Sequence, residues 1–454
     1  MVSRDLGGTV KRAWAIVCFV LLAPSCALAQ DTPEGKSDKP PAEEQWSVHA
    51  QATYIAQIKP AFEALYSGPV SLTPERAHSY SFTSTFFLGA RLWRGGEAYA
   101  NLEGVEGLPI SNLTGLGGLT NGELQKTAGT SLKWYRARAF VRQVIGYEGG
   151  SEAIEADKNQ LGGSYDKRRL VVTAGNLSVM DVFDNNRYAH DPRGDFINWS
   201  LITSGAYDFA ADSRGYSWGA AAEWIEDGWA LRAGRFAQPK ESNGLPLDFR
   251  LFRHYGDQVE LERSIELGGR AGKVRILAFR NVAIMGRFRD AIDAALTSGD
   301  GPSVAAVRRL TTKYGIALNA EQEIADDLGA FVRASWNNGQ AETYAFAEID
   351  RSLAIGAVLN GKRWKRANDE LGVAVIANGL SSAHRDYLAA GGAGFFVGDG
   401  RINYREELIG EAYYSIEVAK NSAITFDAQR IRNPAYNADR GPASFYAIRL
   451  HVEF

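Results

Sequence analysis

The sequence has little cysteine and no long apolar run, and both absences narrow the class of protein. Its two cysteines, Cys18 and Cys26, fall within the first thirty residues. We therefore expect a mature chain without a disulfide framework. No stretch reaches the ~18 consecutive apolar residues of a membrane-spanning helix, which excludes a helical membrane bundle. The formal net charge is only −3, so there is no basic field to attract nucleic acid.

What the sequence does contain is glycine and aromatic residues in quantity. It has 454 residues, of which 48 are glycine and 11% are aromatic, and this aromatic content excludes a disordered chain. Its six histidines are scattered, so the spacing that a metal site requires is absent. The motif G-x-S-x-G at residues 215–219 lies inside an alternating segment rather than at a strand-to-helix turn. We therefore expect no enzyme.

The N-terminal region predicts export from the cytoplasm. Positive charges in the first twelve residues precede an apolar run at 13–23 and a small-x-small pattern at 27–29. This order is that of a secretory signal peptide, which we place at residues 1–29. Residues 30–45 carry prolines and mixed charges without an apolar period, and they predict a flexible tail. Residues 46–454 are predicted to form one domain, since no linker interrupts them.

From Trp46 onward the sequence alternates between apolar and polar residues. In Trp46–Tyr54 the apolar residues fall on one face and the polar residues on the other, which predicts a strand. Such segments are about nine to eleven residues long, the length that a tilted strand needs to cross a bilayer. Turn signals such as Asp227-Gly228 separate them. The alternation recurs over residues 80–92, 135–142, 216–224, 259–267, 328–336, 371–377, 408–418 and 448–454.

Alternation alone fits two architectures. A soluble sandwich buries the apolar face, whereas an outer-membrane barrel turns it toward lipid. Aromatic residues at segment ends and a last strand that closes on Phe454 favour an all-β, antiparallel transmembrane barrel. The alternative is a soluble secreted β-rich carbohydrate-binding protein or enzyme. One short helix is expected at Phe288–Leu296, ending near Gly299.

Several longer stretches resemble the OprB-type carbohydrate-selective porins. The most distinctive is Ser178–Arg193, SVMDVFDNNRYAHDPR, and residues 212–219, 239–244 and 433–442 follow the same pattern. The resemblance covers nearly all of the chain after Trp46. It implies a barrel of about 16 strands in the Gram-negative outer membrane, passive diffusion of small sugars into the periplasm, and no cofactor. A barrel that exports exopolysaccharide is the second interpretation, and it calls for a strongly basic lumen.

Candidate pore residues follow from what a sugar requires. A neutral molecule dense in hydroxyl groups needs donors and acceptors at a constriction. Arg136, Arg138 and Arg142 are predicted to share one strand face and to project into the lumen. The irregular stretch after the strand at 170–174 predicts a loop folded inward. The candidate pore residues of this loop are Asp181, Asp184, Asn185, Asn186 and Arg187. A second polar cluster adds Lys240, Glu241, Asn243 and Arg250. For each, the competing interpretation is a wall residue in an ion-pair network.

The expected partners are small carbohydrates, outer-membrane lipid and the barrel-assembly machinery, which would engage the C-terminal strand ending at Phe454. The sequence leaves open whether the barrel is a monomer or a homotrimer.

Overall fold

The computed structural model describes residues 43–454, so the predicted signal peptide and most of the predicted tail lie outside the described residues. Sixteen antiparallel strands form a barrel that closes where β1 pairs with β17. A short strand, β8, pairs only with β7 and stays outside the barrel. The strands are β1 (Trp46–Lys59), β2 (Ala77–Trp93), β3 (Gly96–Leu108), β4 (Lys133–Ile154), β5 (Gly163–Leu177), β6 (Ser217–Glu226), β7 (Trp229–Pro239), β8 (Leu247–Asp248), β9 (Tyr255–Leu267), β10 (Arg270–Met285), β11 (Arg309–Ala325), β12 (Leu328–Asn337), β13 (Arg351–Gly361), β14 (Arg366–Gly379), β15 (Glu407–Ala419), β16 (Ser422–Arg432) and β17 (Ala443–Glu453).

The connections differ between the two ends of the barrel. Short turns such as Asp227-Gly228 lie at one end, together with the start of β1 and the end of β17. The other end carries the long connections. In outer-membrane barrels the short turns face the periplasm and the long loops face outward, and this barrel shows the same division between its two ends. The long connections are residues 60–76, 109–132, 178–216, 240–254, 286–308, 338–350, 380–406 and 433–442.

The predicted alternation is confirmed, with the apolar rows on the outside. On β1 the side chains of Gln51 and Thr53 are buried in the lumen, whereas Val48 is 56% exposed on the outer face. A soluble sandwich would bury such apolar rows. Aromatic residues form girdles near both ends of the wall. Trp46, Trp93, Trp224 and Trp229 lie near the turn end, and Trp134, Tyr314, Trp336 and Tyr446 lie near the loop end.

Much of the lumen is filled by inward-folded connections that have their own apolar core. Phe196, in the connection 178–216, packs edge-on against Phe331 of β12 and Tyr413 of β15, with ring centroids 5.7 and 4.9 Å apart. The inward-folded loop predicted from the sequence is thereby confirmed. Its apolar core was not predicted, and it arises because backbone taken out of water must be packed and hydrogen-bonded.

Helices are few in the described part of the chain and lie in the connections. They are α1 (Trp199–Ile202), α2 (Phe288–Ser298) and α3 (Ser382–Ala389). The predicted helix is confirmed as α2, which ends on Gly299 at φ 81°, a left-handed position that glycine adopts without strain. Among the described residues, no helix is long and apolar enough to span a bilayer.

A β-bulge in β4 corrects one prediction. The register with β3 shifts, so that Asn101 pairs with Arg138 but the next residue, Leu102, pairs with Arg136. Leu102 lies on the outer face and is 48% exposed. The prediction that Arg136 projects into the lumen is therefore wrong. Ala137 is the extra residue of the bulge. Because side chains alternate between the two faces of a strand, one inserted residue places Arg136 on the face opposite to Arg138.

Candidate functional site

A cavity of about 320 Å³ lies inside the barrel, bounded by wall residues and by three inward-folded connections. This volume is at the lower end of the range for small-molecule sites. Residues 122–126 come from the connection between β3 and β4, residues 178–216 from that between β5 and β6, and Ala345 and Phe346 from that between β12 and β13. The site therefore depends on loops that fold back into the lumen.

Two predicted residues meet at this cavity as an ion pair. Arg138 of β4 donates from Nε and Nη2 to the two carboxylate oxygens of Asp181, at 2.7 and 2.6 Å. Asp181 is held in place because its carboxylate also accepts the backbone N–H of Ser178 at 3.0 Å. The Arg138 guanidinium lies 5.1 Å from the ring centroid of Tyr216. Such a bidentate pair fixes both groups in one geometry.

A second arginine on the cavity wall bridges two carboxylates. Arg193 approaches Glu123 through Nε at 3.0 Å and Glu103 through Nη2 at 3.1 Å. Burial by itself would lower the pKa of Arg193, but the charges of Glu123, Glu103 and Asp191 hold that pKa well above its usual range. Burial raises the pKa of Glu123, which the charge of Arg193 opposes. The group therefore supplies fixed donors and acceptors, with one guanidinium against two carboxylates. The charges balance over the whole cavity lining, where four basic side chains (Lys126, Arg138, Arg193 and Arg214) face four acidic ones (Glu123, Asp181, Asp191 and Asp212).

Glu103 of β3 is the carboxylate that links Arg193 to the barrel wall. Its carboxylate accepts hydrogen bonds from the hydroxyl of Thr85 at 3.0 Å and from the amide of Gln125 at 2.8 Å. The hydroxyls of Tyr135 and Tyr216 also donate to it. A fully buried carboxylate with this many donors is held in a fixed position.

Aromatic rings and one ammonium group form another part of the cavity wall. Trp199 and Phe346 stack with centroids 5.8 Å apart and an interplanar angle of 7°. Lys126 lies 5.7 Å from the centroid of Trp199 and donates to Asn243 Oδ1 at 2.5 Å and to the carbonyl of Ala345. Burial lowers the pKa of Lys126 to about 7. Flat apolar rings beside hydrogen-bonding groups are the surface that a sugar ring fits.

Four further predicted residues anchor the inward-folded connection instead of lining the cavity. Asp184 is buried, accepts from Asn319 Nδ2 at 2.7 Å and lies 3.8 Å from Arg333. Asn186 is also buried and donates to Asn319 at 2.7 Å. Asn185 and Arg187 are exposed, and they bond to the wall through backbone groups.

Arg142 lies inside the barrel but nearer the turn end. Its Nη1 donates to the carbonyl of Asn159 at 3.0 Å and lies 3.8 Å from Glu97. It therefore ties the connection between β4 and β5 to the wall.

The second predicted cluster divides. Asn243 reaches the cavity only through its contact with Lys126. Lys240 and Glu241 are exposed; the backbone N–H of Lys240 donates to the carbonyl of Pro246, and the carbonyl of Glu241 accepts from the N–H of Gly244. Arg250 is paired with Asp248, at 2.5 Å between Nη2 and Oδ2, and does not line the cavity.

Sequence reasoning missed several residues that line the cavity or, in the case of Glu103, hold its lining in place. Arg193 and Tyr216 fall within the family-like stretches, so a signal for them was present. Glu123 and Lys126 fall in a glycine-rich segment with no apolar period, and nothing local in the sequence indicates that this segment enters the lumen. Glu103 was hidden because it is one of several polar residues on the inner face of a strand.

Comparison with known proteins identifies the family. The family model of carbohydrate-selective porins, OprB family, matches residues 87–454. OprB of Pseudomonas putida, solved at high pH, is 15% identical with a TM-score of 0.69, over 90% of this chain and 94% of that chain. This likeness shows the shared barrel fold.

Other barrels are more distant. The outer-membrane channel DcaP of Acinetobacter baumannii is 8% identical with a TM-score of 0.49, over 90% of this chain and 97% of that chain. No curated protein sequence matches this chain. Because the family match spans most of the described barrel, the protein belongs to the carbohydrate-selective porin family OprB, and it is an outer-membrane sugar porin.

Proposed function

We propose that the cavity beside Arg138 is the constriction through which small neutral carbohydrates diffuse passively toward the periplasm. The observation that supports this is the union, in one cavity, of fixed ion pairs with the stacked rings of Trp199 and Phe346. Paired charges present donors and acceptors without a strong net field, which suits an uncharged solute rich in hydroxyls. The barrel then acts as a channel and carries out no reaction.

The arrangement gives each group a role in the proposed route. The guanidinium groups of Arg138 and Arg193 would donate to sugar oxygens, and the carboxylates of Asp181 and Glu123 would accept from sugar hydroxyls. The aromatic pair would carry the apolar face of the ring. An exporter of acidic polysaccharide would call for unpaired arginines at this point, and Arg138 and Arg193 are both paired.

Liposome swelling with glucose and with maltose tests the proposal. We expect swelling well above that of protein-free vesicles, and slower swelling for an anionic sugar of similar size. Swelling no faster than that of empty vesicles would contradict sugar transport. Equal rates for neutral and charged sugars would contradict selection by the paired charges.

We further propose that the chain is exported with cleavage near Gln30 and that Phe454 serves in recognition by the assembly machinery. Phe454 is 59% exposed, and its backbone exchanges hydrogen bonds with Ala50 at 2.8 and 3.0 Å. This leaves its side chain accessible at the turn end of the barrel. Mass spectrometry of the mature N-terminus tests the cleavage.

A further inference from the structure

The outer wall carries a cluster in which two arginines share one carboxylate. Arg235 of β7 donates from Nε and Nη2 to Asp257 of β9 at 2.7 and 2.9 Å. Arg280 of β10 donates from Nη2 to the same carboxylate at 3.0 Å and to the hydroxyl of Tyr255 at 3.1 Å. Two guanidinium groups against one carboxylate leave a net positive charge on the outer face.

The height of this cluster on the wall is fixed by the strand pattern. Moving from the cluster toward the turn end, the same outward rows continue as Leu231 on β7, Leu261 on β9 and Ile276 on β10, which are 42, 41 and 57% exposed. Arg235 lies four residues before the end of β7, and Arg280 pairs with Tyr314 of the aromatic girdle at the loop end. In a membrane this places them at the outer headgroup level, directly above the hydrocarbon.

An exposed aromatic side chain stands beside the arginines. Phe252, in the connection before β9, is 92% exposed, and its ring centroid is 5.9 Å from the Arg235 guanidinium. The ring of Tyr255 lies 4.0 Å from the same guanidinium. An apolar ring left outside the fold and next to positive charge fits a partner that offers both anionic groups and hydrocarbon.

At the turn end of the barrel, the outward arginines have other partners than the two arginines that share Asp257. Arg168 lies within 3.5 Å of Glu226 and 2.6 Å of Asp227, so two carboxylates face one guanidinium. Arg263 lies 4.7 Å from the ring centroid of Trp229 and donates to the carbonyl of Asp227. It thus resembles the loop-end arginines in its aromatic contact, but it stands at the other membrane surface.

We propose that Arg235, Arg280, Asp257, Tyr255 and Phe252 form a lipid patch that binds a phosphate group of an anionic glycolipid in the outer leaflet. The planar guanidinium forks suit phosphate oxygens, and a positive patch at the interface attracts anionic headgroups. The acyl chains would lie along the apolar rows below the patch. The proposal rests on the outer-membrane location and on the orientation of the loops, but not on the sugar route.

Native mass spectrometry of the full mature protein in detergent tests the lipid patch, with bisphosphorylated lipid A and its dephosphorylated form as probes. We expect the wild type to prefer the phosphorylated form. Arg235→Gln and Arg280→Gln should each weaken its binding by about fivefold, and the double variant by about 25-fold. The matched control is Arg263→Gln at the turn end, which should bind like the wild type. Heat-modifiable gel migration verifies folding, and the single variants suffice where the double variant does not fold.

Any of four outcomes would overturn the lipid patch, and three of them concern lipid binding itself. They are equal binding of the two lipid forms, an equal loss in the Arg263→Gln control, and displacement of the lipid by millimolar inorganic phosphate, which would indicate a site for the free ion. Conversion of an oligomer to monomers by the double variant, with lipid binding unchanged, would make the surface a subunit interface and overturn it too. Liposome swelling measured on the same samples separates a failure of sugar transport from a failure here.

Discussion

At the residue scale, the direction of one side chain decides whether an arginine can act in the pore. Arg136 and Arg138 are two positions apart, yet only Arg138 reaches the cavity, where it pairs with Asp181. Arg136 lies on the outer face with its guanidinium 5.4 Å from the ring centroid of Trp218. Two arginines on one strand therefore have opposite surroundings and offer a matched comparison.

Sugar bound in the constriction should block the ion current through the channel. We expect Arg138→Ala to weaken this block and Arg136→Ala to leave it unchanged. Loss of Arg138 removes charged donors and leaves the Asp181 carboxylate without its partner, so the constriction becomes more negative. A hydrogen bond to a charged group contributes about 1.5–3 kcal/mol, which predicts a loss of about tenfold or more in apparent maltose affinity. Single-channel current with graded maltose measures it. Similar block in both variants would show that Arg138 is only a wall residue.

Lys126 gives the cavity a predicted pH dependence. Burial lowers its pKa to about 7, so the ammonium is charged below that pH and neutral above it. Because Lys126 lines the cavity, anion permeability relative to cation permeability should fall as the pH rises from about 6 to about 8. Reversal potentials in a salt gradient measure this change. Lys126→Met should remove the step, and a step that persists in this variant would assign it to another group.

At the element scale, the connection 178–216 is shaped by a buried arginine on the wall. Arg333 of β12 donates to the carbonyls of Ala189 and Leu201 and, at 3.0 Å, to that of Asp184. One side chain therefore satisfies three backbone acceptors that have left water. Such a contact holds an inward-folded loop in one position, because each unsatisfied acceptor would carry its own desolvation cost.

We expect Arg333→Met to loosen this connection while the barrel still forms. Removing one partner of a buried, hydrogen-bonded charge typically costs about 3–5 kcal/mol, and here the cost falls on the loop that carries Asp181 and Arg193. Hydrogen exchange over residues 178–216 should accelerate, and channel noise should rise. The control is Arg363→Met, which breaks an exposed pair with Asp327 at the turn end. Unchanged exchange in Arg333→Met would refute the anchoring role.

At the scale of the whole molecule, closure depends on the last strand. β17 pairs with β16 on one side and with β1 on the other, from Ile58 opposite Tyr446 to Gln51 opposite Glu453. Without this strand, β1 and β16 would present unpaired backbone groups in the membrane, where water cannot satisfy them. The continuity of the wall is therefore a property of the entire chain.

Deletion of residues 448–454 should prevent closure, whereas deletion of Phe454 alone should not. The longer deletion removes most of the pairing with β1, and the shorter one removes only the terminal pair with Ala50. Heat-modifiable migration of the outer-membrane fraction reports closure. A compact, heat-modifiable band from the longer deletion would contradict this account.

The sequence by itself determined the strands, because period-two alternation is a local property that each segment carries alone. The outward direction of the apolar rows was predicted from the aromatic segment ends and the last strand, and the family from long stretches such as Ser178–Arg193. The sequence also predicted helix α2, because the helical spacing of its apolar residues and the glycine at its end are local features. Only the tertiary structure decided which polar residues meet. The bulge that turned Arg136 outward depends on register with β3, and the approach of Glu123 to Arg193 joins two loops that are distant in the chain. Register and loop folding are set by packing across the lumen, which no short stretch of sequence encodes.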